Sequence, residues 1–381
     1  MKASSVIKLD QAALQSNWKF LKTYFNKTKI SAVVKGNAYG HGISTYVPMA
    51  EACGVNHFSV FNASEAYEVY EVASANSTIM IMGSLDEQDI EWAIANGIEF
   101  YVFTMERLAT AINTAAKLNK KAIVHIEIET GMFRTGFEHA EIPELITHLK
   151  NNTDTLIFKG LCMHFAGAES IVNYVRIKKQ KIGFKKAIKA FKEAEVMPET
   201  IHACCSAAAV RIPDMHYDMI RIGIMQYGFW SGPEVLIEYL NKHNLEESPL
   251  KRIISWESTV MSMKEVPPGE FIGYGTSFFS HQSMQLAIVP VGYAHGFSRS
   301  LSNTGIVLIN GRRAPVIGTV NMNCIAIDVT SIGDVKINDT VTLIGMQGEH
   351  EVSVASFGEM SNQLNYELLT RLPKGIERKM V

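Results

Sequence analysis

The chain has 381 residues, with 36 Lys and Arg against 38 Asp and Glu, a formal net charge of −2, and 47% hydrophobic residues. So even a charge balance gives no electrostatic footprint for nucleic acid or an anionic membrane surface, and no partner of either kind is expected. No apolar run approaches the ~18 residues that span a bilayer, and a chain this long and apolar excludes disorder and collagen-like repeats. At about 150 residues per domain, two domains are expected. The N-terminal MKASSVIKLD lacks an apolar signal core, so the cytoplasm is the expected location. Five cysteines, two of them adjacent and none in a C-x-x-C pair, make neither a disulfide framework nor a cysteine zinc site.

Eight apolar or β-branched segments read as strands: 30–34, 57–61, 78–82, 98–103, 122–128, 157–164, 200–204 and 218–222. Amphipathic segments lie between them. Ser84 with Glu87 reads as a capping box, Asn96-Gly97 as the stop that follows, and Thr104 as the next cap. The longest helical pattern covers 170–194. Strands alternating with helices imply parallel pairing and right-handed crossovers. Eight such units, ending near residue 240, favour a (β/α)8 TIM-like barrel over a doubly wound open sheet, which gives a similar linear pattern. After residue 245 helical periodicity nearly disappears. Short runs at 253–263, 286–291, 306–310, 314–320, 324–329 and 340–344 alternate with turns such as Pro267-Pro268-Gly269 and Asn310-Gly311. The expected organisation is a barrel over 1–244, then a mostly β C-terminal domain over 245–381, divided at the polar stretch 241–249.

The first predicted barrel strand runs into Lys35 and opens into Gly36-Asn37-Ala38-Tyr39-Gly40-His41-Gly42. In a barrel, strand C-terminal ends line the active-site mouth. A partly desolvated lysine there is a Schiff-base candidate; the alternative is a solvated lysine snorkelling from a strand end. The glycines do not spell a dinucleotide-binding loop. Arg134, His164 and Ser206 fall at the ends of strands five to seven, and Arg221-Ile222-Gly223-Ile224 at the end of strand eight. Each alone is more often structural. Together, Ser206 and the backbone N–H groups of Gly223 and Ile224 would form a phosphate cradle. A lysine, such a cradle and two arginines at one mouth point to pyridoxal 5′-phosphate.

These residues also carry a family resemblance. The motifs are Val33-Val34-Lys35-Gly36-Asn37-Ala38-Tyr39-Gly40-His41-Gly42, Thr130-Gly131-Met132-x-Arg134-x-Gly136, His164-Phe165 and Ser206-Ala207-Ala208. They continue with Arg221-x-Gly223-Ile224-x-x-Tyr227-Gly228, Gly273-Tyr274-Gly275, Gly292-Tyr293-Ala294, Leu343-Ile344-Gly345-x-Gln347-Gly348 and Asn365-Tyr366-Glu367. In order and spacing, from about residue 5 to the C-terminus, the chain resembles the alanine racemase family of fold-type III pyridoxal-phosphate enzymes. The resemblance implies a barrel followed by a β domain, which the first strand, near residues 4–9, joins. It implies that Lys35 carries the cofactor and acts as the base for the D-enantiomer. Tyr293, from the other subunit of a head-to-tail homodimer, would serve the L-enantiomer. Arg221 would face the pyridine nitrogen and, unable to give up a proton, keep that nitrogen unprotonated and side reactions low. His164 joins the cofactor pocket; Tyr39, Ser206, Gly223, Ile224 and Tyr366 would hold the phosphate. Arg134 and the backbone N–H of Met322 would hold the substrate carboxylate. Without the resemblance, Tyr366 reads as a core tyrosine and Met322 as a packing residue. The implied activity is interconversion of L- and D-alanine, supplying D-alanine for peptidoglycan. A tyrosine base must be stabilised as phenolate by roughly 3 pKa units, about 4 kcal/mol, and positive charge from His164 and Arg221 is the expected source.

Four positions depart from the family pattern. Glu127 stands where many members carry a carbamylated lysine, and is expected to hold Arg134 by a charge-assisted hydrogen bond. His295 and Asn323 replace carboxylates, and Asn321 replaces a cysteine. By resemblance, position 323 and Leu364 border the substrate entrance. The altered mouth leaves open a racemase for another or broader set, such as serine or lysine. A noncatalytic pyridoxal-phosphate carrier would keep Lys35 but need no Tyr293. A decarboxylase is disfavoured because both bases are present.

Overall fold

In the computed structural model, which describes residues 4–354 and 365–381, the first strand is β1 (Ser5–Leu9) and the next eight close into a ring. These are β2 (Lys29–Val33), β3 (His57–Val60), β4 (Thr78–Ile81), β5 (Glu99–Val102), β6 (Ala122–Glu127), β7 (Leu156–Cys162), β8 (Thr200–His202) and β9 (Met219–Ile222). Each pairs in parallel with the next, and β2 pairs with β9 from Lys29–Met219 to Ala32–Ile222. That last pairing makes a closed (β/α)8 barrel and excludes the open sheet. The eight strands fall on the eight predicted segments. With helices outside and side chains filling the ring, β3, β5 and β9 are buried at every position.

The helices bury one stripe each. In Tyr174–Glu193 the stripe is Gln180, Phe184, Ala187 and Phe191, spaced four, three and four residues apart. A 3₁₀ turn, Ile171–Asn173, precedes it, so the predicted 170–194 helix begins in a tighter coil. Thr104 caps its helix as expected, its hydroxyl accepting from the Arg107 N–H at 3.2 Å. The preceding capping box is not Ser84 with Glu87. It is Asp86 with Asp89, each side chain accepting from the other residue's N–H, at 2.8 and 3.2 Å. Starting there puts buried Leu85 and Ile90 at the two staple positions that fix how the chain enters the helix.

The chain divides into two compact units. One comprises Ala12–Gly36 and Val47–Arg252 and contains the barrel. The other comprises the described residues up to Gln11, Asn37–Tyr46, and those of Ile253–Val381. Its strands, after β1, are β10 (Ile254–Thr259), β11 (Ser262–Val266), β12 (Met284–Val289), β13 (Ile306–Ile309), β14 (Arg312–Ile317), β15 (Ile325–Asp328), β16 (Thr340–Gln347), β17 (His350–Val352) and β18 (Glu377–Met380). The sheet order is β11-β12-β15-β14-β13-β16-β10-β1-β18, with β17 on β16. Here β1 runs antiparallel to β10 and parallel to β18. The predicted run 253–263 splits at Val260 and Met261. Val260 donates to Asp339 and Met261 to Ile288, passing the chain from one partner strand to another. Asn310 and Gly311, at φ 48° and 69°, make the tight β13–β14 hairpin turn the sequence predicts. Among the described residues no helix is long and apolar enough to cross a membrane.

Candidate active site

Lys35 lies just beyond β2, and the barrel fixes the chain on both sides of it. The Val33 carbonyl accepts from Gln226 Nε2 at 2.8 Å and from the Tyr227 hydroxyl at 3.0 Å. Gly36 N–H donates to Glu65 Oε1 at 2.6 Å, while Glu65 Oε2 accepts from Phe61 N–H at 2.9 Å. Desolvation, then the positive charge of Arg134, lowers the Lys35 pKa below that of an ordinary lysine; Glu65 opposes them and Arg221 adds to them. A larger share of neutral amine suits a nucleophile and a base.

Next, Gly36, Asn37, Ala38 and Tyr39 form a left-handed turn at φ 63°, 54°, 53° and 52°. Such a run is strained for residues with a Cβ. Hydrogen bonds hold it: Asn37 Oδ1 accepts from Ile43 N–H at 3.0 Å, and His41 Nδ1 donates to the Ala38 and Tyr39 carbonyls at 2.9 and 3.0 Å. Burial pushes His41 down to about 4, so the ring stays neutral in that role.

Arg134 is presented by the loop after β6. Glu129 gathers that loop: its carboxylate accepts from Gly131 N–H and from those of Met132, Phe133 and Arg134 at 2.7, 2.8 and 3.4 Å. Glu127 is buried and its pKa is raised by that burial. Its hydrogen bond comes from Thr135 Oγ1 at 2.7 Å. Among the described residues none joins it to Arg134, which corrects the expected pair. The short loop geometry puts Thr135, not the arginine, over the carboxylate, so Glu127 acts on Arg134 only through space. His164 lies in the same pocket as Glu127 and Arg134. Desolvation, then the charges of Arg221, Arg134 and Lys35, hold its pKa well below the imidazole value. The neutral ring therefore cannot supply the positive charge expected of it; Arg221 can.

Arg221, on β9, is buried. It donates through Nη1 to His202 Nδ1, and through Nη2 to the Met163 and Ala203 carbonyls at 2.8 and 3.2 Å. Ser206 begins the helix Ser206–Arg211, and Gly223 precedes the 3₁₀ turn Ile224–Tyr227. Gly223 N–H donates to Ser206 Oγ at 2.9 Å, so the two helical starts meet. Two such starts side by side offer amide donors to an anion, and they fit a phosphate. With Lys35 on the same unit, the donor set suits a phosphorylated aldehyde.

In the other unit, Tyr293 and Met322 are neighbours. Tyr293 N–H donates to the Asn321 carbonyl and Ala294 N–H to the Met322 carbonyl, both at 3.0 Å. A Cβ at Gly292 would collide with the Asn321 oxygen, so only glycine permits this approach. Tyr293 and Met322 are 42% and 55% exposed, respectively. His295 Nδ1 accepts from Gly292 N–H at 3.2 Å, which gives the altered residue a structural role. Tyr39 belongs to this unit too. Leu364 and the Tyr366 side chain lie outside the described residues. The structure thus gathers Lys35, Arg134, His164, Ser206, Arg221, Gly223 and Ile224 in one unit, and Tyr293 with Met322 in the other.

Glu65 and His202 carry no mark of their roles in the sequence. The Asn62-x-x-Glu65 spacing reads as a capping box, and Asn62 does cap the helix; nothing in it signals that Glu65 turns to Gly36. His202 sits inside a strand, where a histidine reads as a satisfied core residue.

Residues 9–230 match the model of the alanine racemase N-terminal domain, and residues 253–380 that of the C-terminal domain. An alanine racemase of Leptospira interrogans is 31% identical over 380 residues, covering 99% of this chain and 96% of that protein. The structure of an alanine racemase from Clostridium difficile aligns at TM-score 0.91 and 28% identity, over 100% of this chain and 96% of the other. One from Bartonella henselae, with covalently bound pyridoxal phosphate, aligns at TM-score 0.85 and 26% identity over the whole of both chains. The chain belongs to the alanine racemase family of isomerases.

Proposed function

We propose that the chain interconverts L- and D-alanine with pyridoxal 5′-phosphate bound at the barrel mouth, as a head-to-tail homodimer that shares its two active sites. The observation that carries this reading is Lys35: a lysine at a barrel-strand end, locked by Glu65, Gln226 and Tyr227, with its pKa lowered by burial and by Arg134. Ser206, Gly223 and Ile224, with Tyr39 and Tyr366, would hold the phosphate, and Arg221 the pyridine nitrogen. Bound there, the cofactor supplies the electron withdrawal that acidifies the substrate α-proton.

The chain's own residues manage the protons. Racemisation needs a proton removed from one face of the α-carbon and one delivered to the other. Lys35 Nζ takes the α-proton of D-alanine, and the hydroxyl of Tyr293 from the second subunit delivers one to the opposite face; L-alanine runs the reverse course. Arg134 and the Met322 backbone N–H hold the substrate carboxylate, so the α-carbon stays between the two bases. The permanent charge of Arg221 favours the tyrosinate form of a base brought near it. The product D-alanine is assigned to peptidoglycan synthesis.

The test is incubation with pyridoxal 5′-phosphate and single L-amino acids in D2O, reading α-deuterium and the D-enantiomer. Exchange confined to alanine and abolished by Lys35→Ala is expected. A preference for serine or lysine would reassign the substrate and point to His295 and Asn323. Bound cofactor without exchange on any amino acid would overturn the racemase reading.

A further inference from the structure

The barrel interior holds a polar chain that the proton transfers above do not use. Glu99 on β5, His125 on β6, His202 on β8 and Arg221 on β9 are all buried. His125 Nε2 lies 2.9 Å from Glu99 Oε2, and His125 Nδ1 lies 2.9 Å from His202 Nε2. His202 Nδ1 meets Arg221 Nη1. Its direction is fixed at the arginine end, because a guanidinium only donates. His202 Nδ1 therefore accepts, and a neutral His202 carries its proton on Nε2 and donates to His125 Nδ1. His125 in turn carries its proton on Nε2 and donates to Glu99.

The electrostatics agree with that order. Burial, then the charge of Arg221, holds His202 well below the imidazole value, so it is neutral. Burial works against the Glu99 charge, but hydrogen bonds from His125 and His57 outweigh it and hold the carboxyl below its usual range. His57 lies 3.4 Å from the same carboxylate oxygen and bonds Ser31 Oγ at 2.9 Å, so the carboxylate is anchored twice. The fold also makes room for the chain. β6 and β7 shift register between Val124 and His125, which puts His125 opposite Gly160, and a Cβ there would collide with His125 Nδ1.

We infer that Glu99 is a positioning residue for Arg221, acting through His125 and His202 to hold the guanidinium at the barrel mouth in one orientation. Its functional consequence rests on the reading above, in which Arg221 faces the cofactor ring. Removing the charge at Glu99 loosens the far end of a fully buried network, where each bond supports the next.

The experiment has two arms. In the first, the chain without cofactor is labelled with ¹⁵N-histidine. His202 is expected as the neutral Nε2–H tautomer at pH 7 and His125 with a proton on Nε2, and Glu99→Gln is expected to move the ring signals of both while leaving His41 in place. A His202 signal that does not move, or an Nδ1–H tautomer there, overturns the relay. In the second arm, the loaded enzyme carrying Glu99→Gln is compared with the parent. The absorption maximum of bound pyridoxal 5′-phosphate is expected to shift, and kcat to fall about tenfold, the scale for partners that orient a functional group from behind. KM for alanine should stay within about twofold, because Glu99 reaches no substrate group. An unchanged spectrum and kcat, with the histidine signals moved, overturns the positioning role. Arg221→Ala is the control. If it leaves the bound cofactor's spectrum unchanged, the assignment of Arg221 to the ring is what fails, and the first arm still decides the relay.

Discussion

Glutamine at position 65 would disturb the turn that presents Lys35 without touching the lysine. Glu65 accepts two backbone N–H groups, Gly36 at 2.6 Å and Phe61 at 2.9 Å, one on each carboxylate oxygen. Glutamine keeps one acceptor oxygen and turns an NH2 toward the second N–H, donor against donor. One charge-assisted bond is lost, worth about 1.5–3 kcal/mol, and the other weakens to a neutral bond, so the expected loss is about 3 kcal/mol. With a urea slope of about 3 kcal/mol/M, the unfolding midpoint of the barrel should fall by about 1 M. The substitution also removes the negative charge that raises the Lys35 pKa, so the amine should be neutral at lower pH. The assay is urea unfolding of the cofactor-free protein, followed by the pH dependence of pyridoxal 5′-phosphate loading. A midpoint shift below about 0.3 M (~1 kcal/mol by the same slope), with an unmoved loading profile, would contradict a role for Glu65 in holding this turn.

Glu127→Gln tests the buried carboxyl beside Arg134. Burial raises the folded pKa of Glu127, so the native state holds this proton more tightly than the unfolded chain. Its destabilising effect is absent below the unfolded value, about pH 4, and grows as pH rises through the folded one. The urea midpoint of Glu127→Gln should therefore gain on the parent from pH 4 to 7, while the lost charge near Arg134 raises KM for alanine; a midpoint gap that shrinks with pH would contradict the burial argument. Glu99 carries the opposite sign, since its folded pKa is lowered. The parent's stability advantage over Glu99→Gln should be present above the unfolded carboxyl value and vanish as pH falls toward the folded one, as read by acid unfolding. At Gly136, φ is 121° and a Cβ would lie 2.5 Å from the Glu129 nitrogen. Gly136→Ala should displace the Arg134 loop and raise KM for alanine more than it lowers kcat in steady-state kinetics. Tyr293→Phe should abolish α-deuterium exchange from L-alanine far more than from D-alanine; equal losses would count against the assignment of faces.

The barrel was legible because each of its strands is a short apolar run flanked by helix signals, and Lys35 because a charged residue ends such a run. The closing β2–β9 pair was not legible, since pairing between distant strands leaves no mark on local pattern. The Asp86 cap shows the same limit on a smaller scale: Ser84 and Asp86 are both good caps, and burial of Leu85 and Ile90 decides between them. Arg134, Ser206 and Arg221 lie after or on barrel strands, as their places in the sequence pattern indicate. Glu127 did not declare its partner, because whether Arg134 or Thr135 meets it depends on the loop conformation that Glu129 imposes. Nor could the neutrality of His164 be read from sequence, for it arises from burial among three cations brought together by folding.

The proposed function requires a site completed by Lys35 of one subunit and Tyr293 of the other. Mixing Lys35→Ala and Tyr293→Phe chains, each inactive alone, tests it most directly. After unfolding and refolding together, half the dimers are hybrids, and each hybrid holds one intact site of two. Alanine racemisation should return to about one quarter of the parent value. A mixture no more active than the separate variants would contradict the shared site.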